Sequence, residues 1–250
     1  MNIKELKLSI KDLNEEIISK IKEKQVFYSI SGSHSYGFHS DDSDFDIRGC
    51  HVVKTKELFK LKKPKETIEI IHGDIDIVSY ELEKFIGLML KPNGNVLEQL
   101  NSPINLVTNK YHKELIKLSK YCISKDLYYH YRGMAHSNHK KFIEGEKLTI
   151  KKYLYVLRAL MTGIYVLEQG KIQQNILELN KYFKFKIIPR LVEKKTQEKI
   201  KTKNIPEADK LIQKLFIHID ESYKKSKLPE HPTHEEKFEK FLMNVRMNEL

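Results

Sequence analysis

The alternation of apolar and polar residues divides the chain into two unlike halves. Leu6, Ile10, Leu13, Ile17 and Ile21 recur at steps of three and four, which predicts an amphipathic helix over 3–24 covering one face of a sheet. Val26–Ile30 and Phe45–Val53 are short β-rich runs. Thr67–Ile71 and Ile75–Tyr80 are two more, and His72-Gly73-Asp74 between them predicts a hairpin. Tyr80–Lys91 reads as a helix closed by Pro92-Asn93-Gly94, and Asn95–Leu100 as a short helix ended near Pro103. From Tyr111 onward the period is helical throughout. Asp126–Gly145 is a long helix. Ile150–Gln169 is a second, with Ile150, Leu154, Leu157, Met161, Ile164 and Leu167 as its buried stripe and Gly170 as its stop. Lysine-rich helices follow over Lys171–Lys227, with Pro189 and Pro206 at their starts. Pro229–Thr233 reads as a linker and Glu235–Met247 as a final amphipathic helix. Strands early and helices late predict an α+β fold: a small mixed β-sheet core with flanking helices over 1–110, then an all-helical domain over 111–250.

Charge falls along the same division. The 250 residues carry a formal net charge of +11. Up to Lys110 there are 16 Lys and Arg against 17 Asp and Glu, which leaves 29 against 17 in the remainder. The first half is near neutral and the second is strongly basic, which points to a polyanionic partner, most simply nucleic acid, with solvated lysines that serve solubility alone as the alternative. No apolar run approaches the length needed to cross a bilayer. Cys50 and Cys122 match no zinc spacing and read as reduced thiols of a cytoplasmic protein. The oligomeric state is left open.

The chemistry concentrates in Ser31–Arg48, SGSHSYGFHSDDSDFDIR. Asp44 and Asp46 flank Phe45, so on a strand they share a face while Phe45 and Ile47 turn to the core. Two such carboxylates raise each other's pKa unless a cation sits between them. Mg²⁺, which takes one or two carboxylates plus substrate phosphates, suits that role, and Mn²⁺ is its alternative. Gly32 allows close backbone approach, and Ser33 can open a helical turn whose N–H groups face a phosphate. Tyr36 can stack on a base or fill the core. His34 and His39 read as exposed loop residues. Arg48, on the face of Asp44 and Asp46, can neutralise a triphosphate or pair with a carboxylate. In the hairpin, Asp74 falls at the turn, where Asp is common for local reasons. Asp76 falls inside an apolar strand, where an unpaired carboxylate is costly, and is the better third carboxylate.

Two helical segments add candidates. Asp126–Gly145 interleaves Tyr128, Tyr129 and Tyr131 with His130, Arg132, His136, His139 and Lys140, a pattern that fits single-stranded nucleic acid or a tyrosine-packed helical core. Lys151, Tyr155, Arg158 and Thr162 line one stripe of Ile150–Gln169, as either a solvated face or a set reaching triphosphate.

Gly32-Ser33…Asp44-Phe45-Asp46 resembles the signature of the DNA polymerase β superfamily of nucleotidyltransferases. GSHSYGF…SDFDIRG is similar, within it, to stand-alone nucleotidyltransferases associated with RNA-ligase repair genes, as are DIDIVSYELEKF (Asp74–Phe85) and KKYLYVLRAL (Lys151–Leu160). The likeness spans roughly Val26 to Leu167. It implies transfer of a nucleoside monophosphate from a nucleoside triphosphate to a hydroxyl, most simply on an RNA end such as a tRNA under repair. Asp44, Asp46 and Asp76 are then the catalytic and metal-binding set, with two Mg²⁺ held at Asp44 and Asp46. Gly32, Ser33, Tyr36, Arg48, Lys151 and Arg158 are the nucleotide-binding set. A protein-modifying enzyme of the small antitoxin type, which transfers AMP to a partner protein, and a non-catalytic nucleotide- or RNA-binding module remain alternatives.

Overall fold

A computed structural model describes residues 18, 21–40, 43–143, 149–197 and 205–248. The helix expected over 3–24 lies almost wholly outside the described residues. Its last expected residue, Lys24, is already the first residue of a strand, because it pairs with Val52.

Five strands form one mixed sheet in the order β3-β4-β2-β1-β5. β1 (Lys24–Ile30) runs antiparallel to β2 (Phe45–Val52). β3 (Thr67–His72) and β4 (Ile75–Glu81) form the expected hairpin, with His72 opposite Ile75 across the turn. β4 lies parallel to β2, so the chain crosses over between them. β5 (Asn105–Val107) pairs with β1. The sequence did not betray β5, since three residues are too few to show a period.

Side-chain alternation gives the sheet two distinct faces. Tyr28, Ile47, Ile75 and Ile77 pack on one, together with Ile18 and Ile21. Phe27, Cys50 and Val52 turn to the other, where the helices lie. A short helix, α1 (Gly32–Tyr36), follows β1 directly. α2 (Leu82–Leu90) and α3 (Gly94–Leu100) follow β4. After β5 come α4 (Lys110–Ser119), α5 (Leu127–Asn138), α6 (Ile150–Gln169), α7 (Ile176–Phe183), α8 (Ile187–Gln197), α9 (Pro206–Lys225) and α10 (Glu235–Met247). α5 is shorter than the predicted Asp126–Gly145: it ends at Asn138 and passes into a π-turn over His139–Ile143. Gly170, with φ +63°, stops α6 as expected, and Pro206 opens α9. Pro229–Thr233 forms no regular element, yet Lys125 N–H donates to the Pro229 carbonyl and Thr233 N–H to that of Tyr121. The backbone bonds, 2.8 and 2.9 Å long, tie it down.

The division near residue 110 separates element types and charge, while packing crosses it. One buried cluster runs from Val26 and Phe27 through Leu154 and Leu157 to Phe241 and Val245. α10 returns to the sheet side, where Arg246 bonds the buried Glu81 carboxylate at 2.8 Å. No helix among the described residues is long and apolar enough to cross a membrane.

Candidate functional site

The candidate site opens at the β1–α1 junction. Ser31 N–H donates to the Asp46 carbonyl at 2.8 Å, fixing the turn to β2. Gly32 has φ +61°, and a Cβ there would lie 1.9 Å from Asp46 Oδ2. Both facts demand glycine. The backbone of the turn therefore lies directly against a carboxylate oxygen. Ser33 is buried in the single turn that follows.

Asp46 and Asp76 are register partners on the parallel strands β2 and β4. They point to the helix-covered side because Ile47, Ile75 and Ile77 take the other. Asp76, not Asp74, is thus the carboxylate that joins Asp46. Asp74 is exposed in the turn, where its carbonyl accepts from Phe45 N–H at 2.7 Å. Asp44 precedes β2 by one residue and is exposed, close enough to Asp46 for their charges to interact.

Arg48 resolves its two sequence readings in favour of pairing. Nη2 donates to Asp46 Oδ1 at 2.7 Å and to Asp76 Oδ2 at 2.9 Å. Nη1 donates to two main-chain carbonyls, of Ile47 at 3.0 Å and of Asp76 at 2.8 Å. Even so, the Asp46 carboxyl is held above its ordinary value. Burial is the main cause; Arg48 and Lys151 pull it down, and Asp76 and Asp44 push it up. By count, the three carboxylates of Asp44, Asp46 and Asp76 face two cations, Arg48 and Lys151, which leaves the site short of positive charge.

That deficit, with hard oxygen donors and a backbone turn pressed on one of them, fits a divalent cation of the Mg²⁺ type. The carboxylates do not form a closed cage. Among the described residues no group of three or more His, Cys, Asp or Glu is gathered as metal ligands. The reason is visible: Arg48 stands between Asp46 and Asp76, and Asp44 sits apart at the solvent edge.

The remaining candidates divide. Lys151 is exposed near the start of α6 and its charge reaches Asp46. Arg158 does not present its charge to the opening. It is 1% exposed, and Nη1 bonds both oxygens of Glu98, itself 2% exposed, at 2.9 and 3.0 Å. Its guanidinium lies 3.7 Å over the Tyr36 ring. Tyr36 is covered by Arg158 and Tyr155 and belongs with the core. The stripe of α6 from Tyr155 to Thr162 is accordingly a packed face rather than a solvated one. His34 is also buried: it stacks on Phe45 and His39 and approaches the Ser43 carbonyl at 3.2 Å. On α5, Tyr131 is buried against Glu98, and Tyr128 bonds Asp220 of α9.

Several residues near α1 carry no sequence signal, because they arrive from far along the chain. Gln174 Nε2 donates to Ser35 Oγ at 3.0 Å, the Asn175 side chain abuts Gly37, and Lys195 donates to Ser40 Oγ at 2.6 Å. Glu98 did leave one signal, a carboxylate set among Val96, Leu97 and Leu100 in the short helix GNVLEQL.

A mixed sheet, a glycine-serine turn after its first strand and carboxylates aligned on the next strands are the form of a polymerase β superfamily nucleotidyltransferase. The model of the RNA repair pathway DNA polymerase β family (RlaP) matches residues 9–244, and the chain belongs to that family. The match takes in the N-terminal segment and the last third, beyond the Val26–Leu167 span that the motifs reach. An uncharacterised protein of Methanocaldococcus jannaschii, MJ0002, is 32% identical over 226 residues, 84% of this chain and 89% of its own length. The uncharacterised YcgL of Bacillus subtilis is 33% identical over 172 residues, 64% of this chain and 65% of its own length. The solved structure of a nucleotidyltransferase-like protein from Exiguobacterium sibiricum covers 96% of this chain and 80% of its own. At 11% identity and a TM-score of 0.33 that likeness is loose.

Proposed function

We propose that this chain transfers a nucleoside monophosphate from a nucleoside triphosphate to a hydroxyl on an RNA end, most simply a tRNA under repair, in the cytoplasm. The observation that supports it most is the alignment of Asp46 with Asp76 beside the Gly32 turn, in a member of an RNA repair family. The acceptor hydroxyl attacks the α-phosphorus, the bond to the bridging oxygen breaks, and pyrophosphate leaves. The turn at Gly32 and Ser33 holds the β- and γ-phosphates. Asp46, with Asp44 at the rim, holds Mg²⁺ or Mn²⁺, which when bound supplies positive charge to the reacting phosphate oxygens. Asp76 orients the acceptor hydroxyl and takes its proton through the oxygen that Arg48 leaves free. Lys151 adds charge at the mouth. Arg158 and Tyr36 act by holding α1 in place rather than by touching nucleotide. The basic second half receives the RNA backbone.

Labelled ATP, CTP, GTP and UTP, each with Mg²⁺ and a mixture of total RNA and cell lysate, test the reading. Label on an RNA band, absent with Asp46→Asn, is expected, along with RNA binding that weakens steeply with salt. Label on a protein band instead would replace the RNA acceptor with a protein one, and no label on either would remove the transfer reading.

A further inference from the structure

We propose that Arg48 is a built-in cation of this site, standing where a second divalent ion would bridge Asp46 and Asp76, so that the chain binds one divalent ion rather than two. The inference rests on the metal-dependent reading above.

Its basis is the geometry of one side chain. A single nitrogen, Nη2, spans both carboxylates, at 2.7 Å from Asp46 and 2.9 Å from Asp76. A two-ion site needs room for two metals about 3.5–4 Å apart among its carboxylates, and Nη2 takes up the space between Asp46 and Asp76. The arm is not free to leave at little cost. Nη1 is fixed by the Ile47 and Asp76 carbonyls, main-chain atoms of the sheet itself. A guanidinium with four hydrogen bonds, two to carboxylates and two to main-chain carbonyls of adjacent strands, is part of the framework.

Arg48 already supplies positive charge at the place between Asp46 and Asp76, so a further cation there would sit beside a fixed guanidinium. The single ion would be held by Asp46, through the oxygen that Arg48 does not bond, together with Asp44, and the free oxygen of Asp76 stays available to the acceptor hydroxyl.

The number of bound ions tests this without measuring turnover. Mn²⁺ is titrated into the full chain, alone and with saturating α,β-methylene-ATP, and free Mn²⁺ is followed by electron paramagnetic resonance. One Mn²⁺ per chain–nucleotide complex is expected for the wild type and for Arg48→Lys, which keeps the charge. Two are expected for Arg48→Gln, which vacates the bridging place. Two ions on the wild type would overturn the inference and leave the transferase reading standing, because Arg48 would then have swung aside. One ion on a folded Arg48→Gln would also overturn it. No binding to the wild type in either condition would remove the metal-dependent reading and this inference together. Should Arg48→Gln fail to show a cooperative melt, the wild-type and Arg48→Lys counts decide.

Discussion

Two arginine–carboxylate clusters meet α1, one at Gly32 and the other at Tyr36, and the same functional groups serve opposite purposes in them. Arg158 and Glu98 are 1% and 2% exposed, both Glu98 oxygens are bonded, and Tyr131 adds a third bond at 3.1 Å. Only Arg158 Nε is left without a partner in this cluster. Arg48, Asp46 and Asp76 are 17%, 32% and 39% exposed, and Arg48 bonds one oxygen of each carboxylate. The inner cluster spends its polarity on itself and fixes Tyr36, hence α1. The outer cluster keeps negative charge in reserve at an opening. Charge in a cleft does not mark a site; charge that the protein leaves unmatched does.

The difference is sharpest in stability. Arg158→Met strands a buried Glu98 carboxylate and should cost about 3–5 kcal/mol. Adding Glu98→Leu should return most of that loss, since apolar replacement of a whole buried pair is often neutral. Arg48→Gln, at the half-open cluster, should cost less, about 2 kcal/mol, because its hydrogen bonds are lost but the carboxylates keep access to water. Urea melts of the four proteins read this directly, and equal losses for Arg158→Met and Arg48→Gln would erase the distinction.

In chemistry the ranking inverts. Asp46→Asn should lower transfer by about a thousandfold, the equivalent of several kcal/mol of lost metal charge stabilisation, with no loss of stability, because repulsion at the cluster is relieved. Asp76→Asn should lose transfer and keep triphosphate binding, and Asp74→Asn should stay near wild type. Nucleotide binding measured beside turnover separates these. The reverse order for Asp74 and Asp76 would reassign the third carboxylate.

Why one cluster is legible in the sequence and the other is not follows from the range of the contacts. Asp46, Arg48 and Asp76 sit on strands of clear period, and a two-residue repeat is by itself enough to put them on a common face. The hairpin turn places Asp76 inside its strand and Asp74 outside it. The inner cluster is built by α3, α5 and α6 meeting α1, and no local period says which helices meet. The spacing of Lys151, Tyr155, Arg158 and Thr162 identifies a shared face without telling whether it meets solvent, phosphate or protein. Gln174 reaches α1, and Lys195 the loop after it, across more than a hundred residues of chain, and neither has a local pattern to reveal it. His34 reads as an exposed loop residue for the same reason, since Phe45 and His39 bury it only once β2 is in place.

The smallest expected difference between the clusters is their response to acid. His130, beside the inner cluster, has its pKa pushed down to about 4 by burial and, secondarily, by the Arg158 charge. A histidine kept neutral in the fold and free to protonate when unfolded gives stability that is full above about pH 6.5 and is lost as pH falls toward 4. The shift has a ceiling of about 3 kcal/mol, which partial solvent access cuts to about 1–2 kcal/mol. His34, His51 and His112 are lowered by burial as well and act in the same sense. Asp46 acts oppositely. Its carboxyl is raised in the fold, so the folded chain holds the proton more tightly and acidification through that range favours folding. A bound divalent ion would reverse that sign by favouring the carboxylate. Thermal melts from pH 7.5 to 4.5 should therefore show a net acid loss that His130→Gln makes shallower, whereas Mg²⁺ should steepen it in the wild type and leave Asp46→Asn unmoved. An acid loss unaffected by His130→Gln would detach this histidine from the inner cluster's energetics, and a Mg²⁺ effect that persists in Asp46→Asn would place the ion elsewhere.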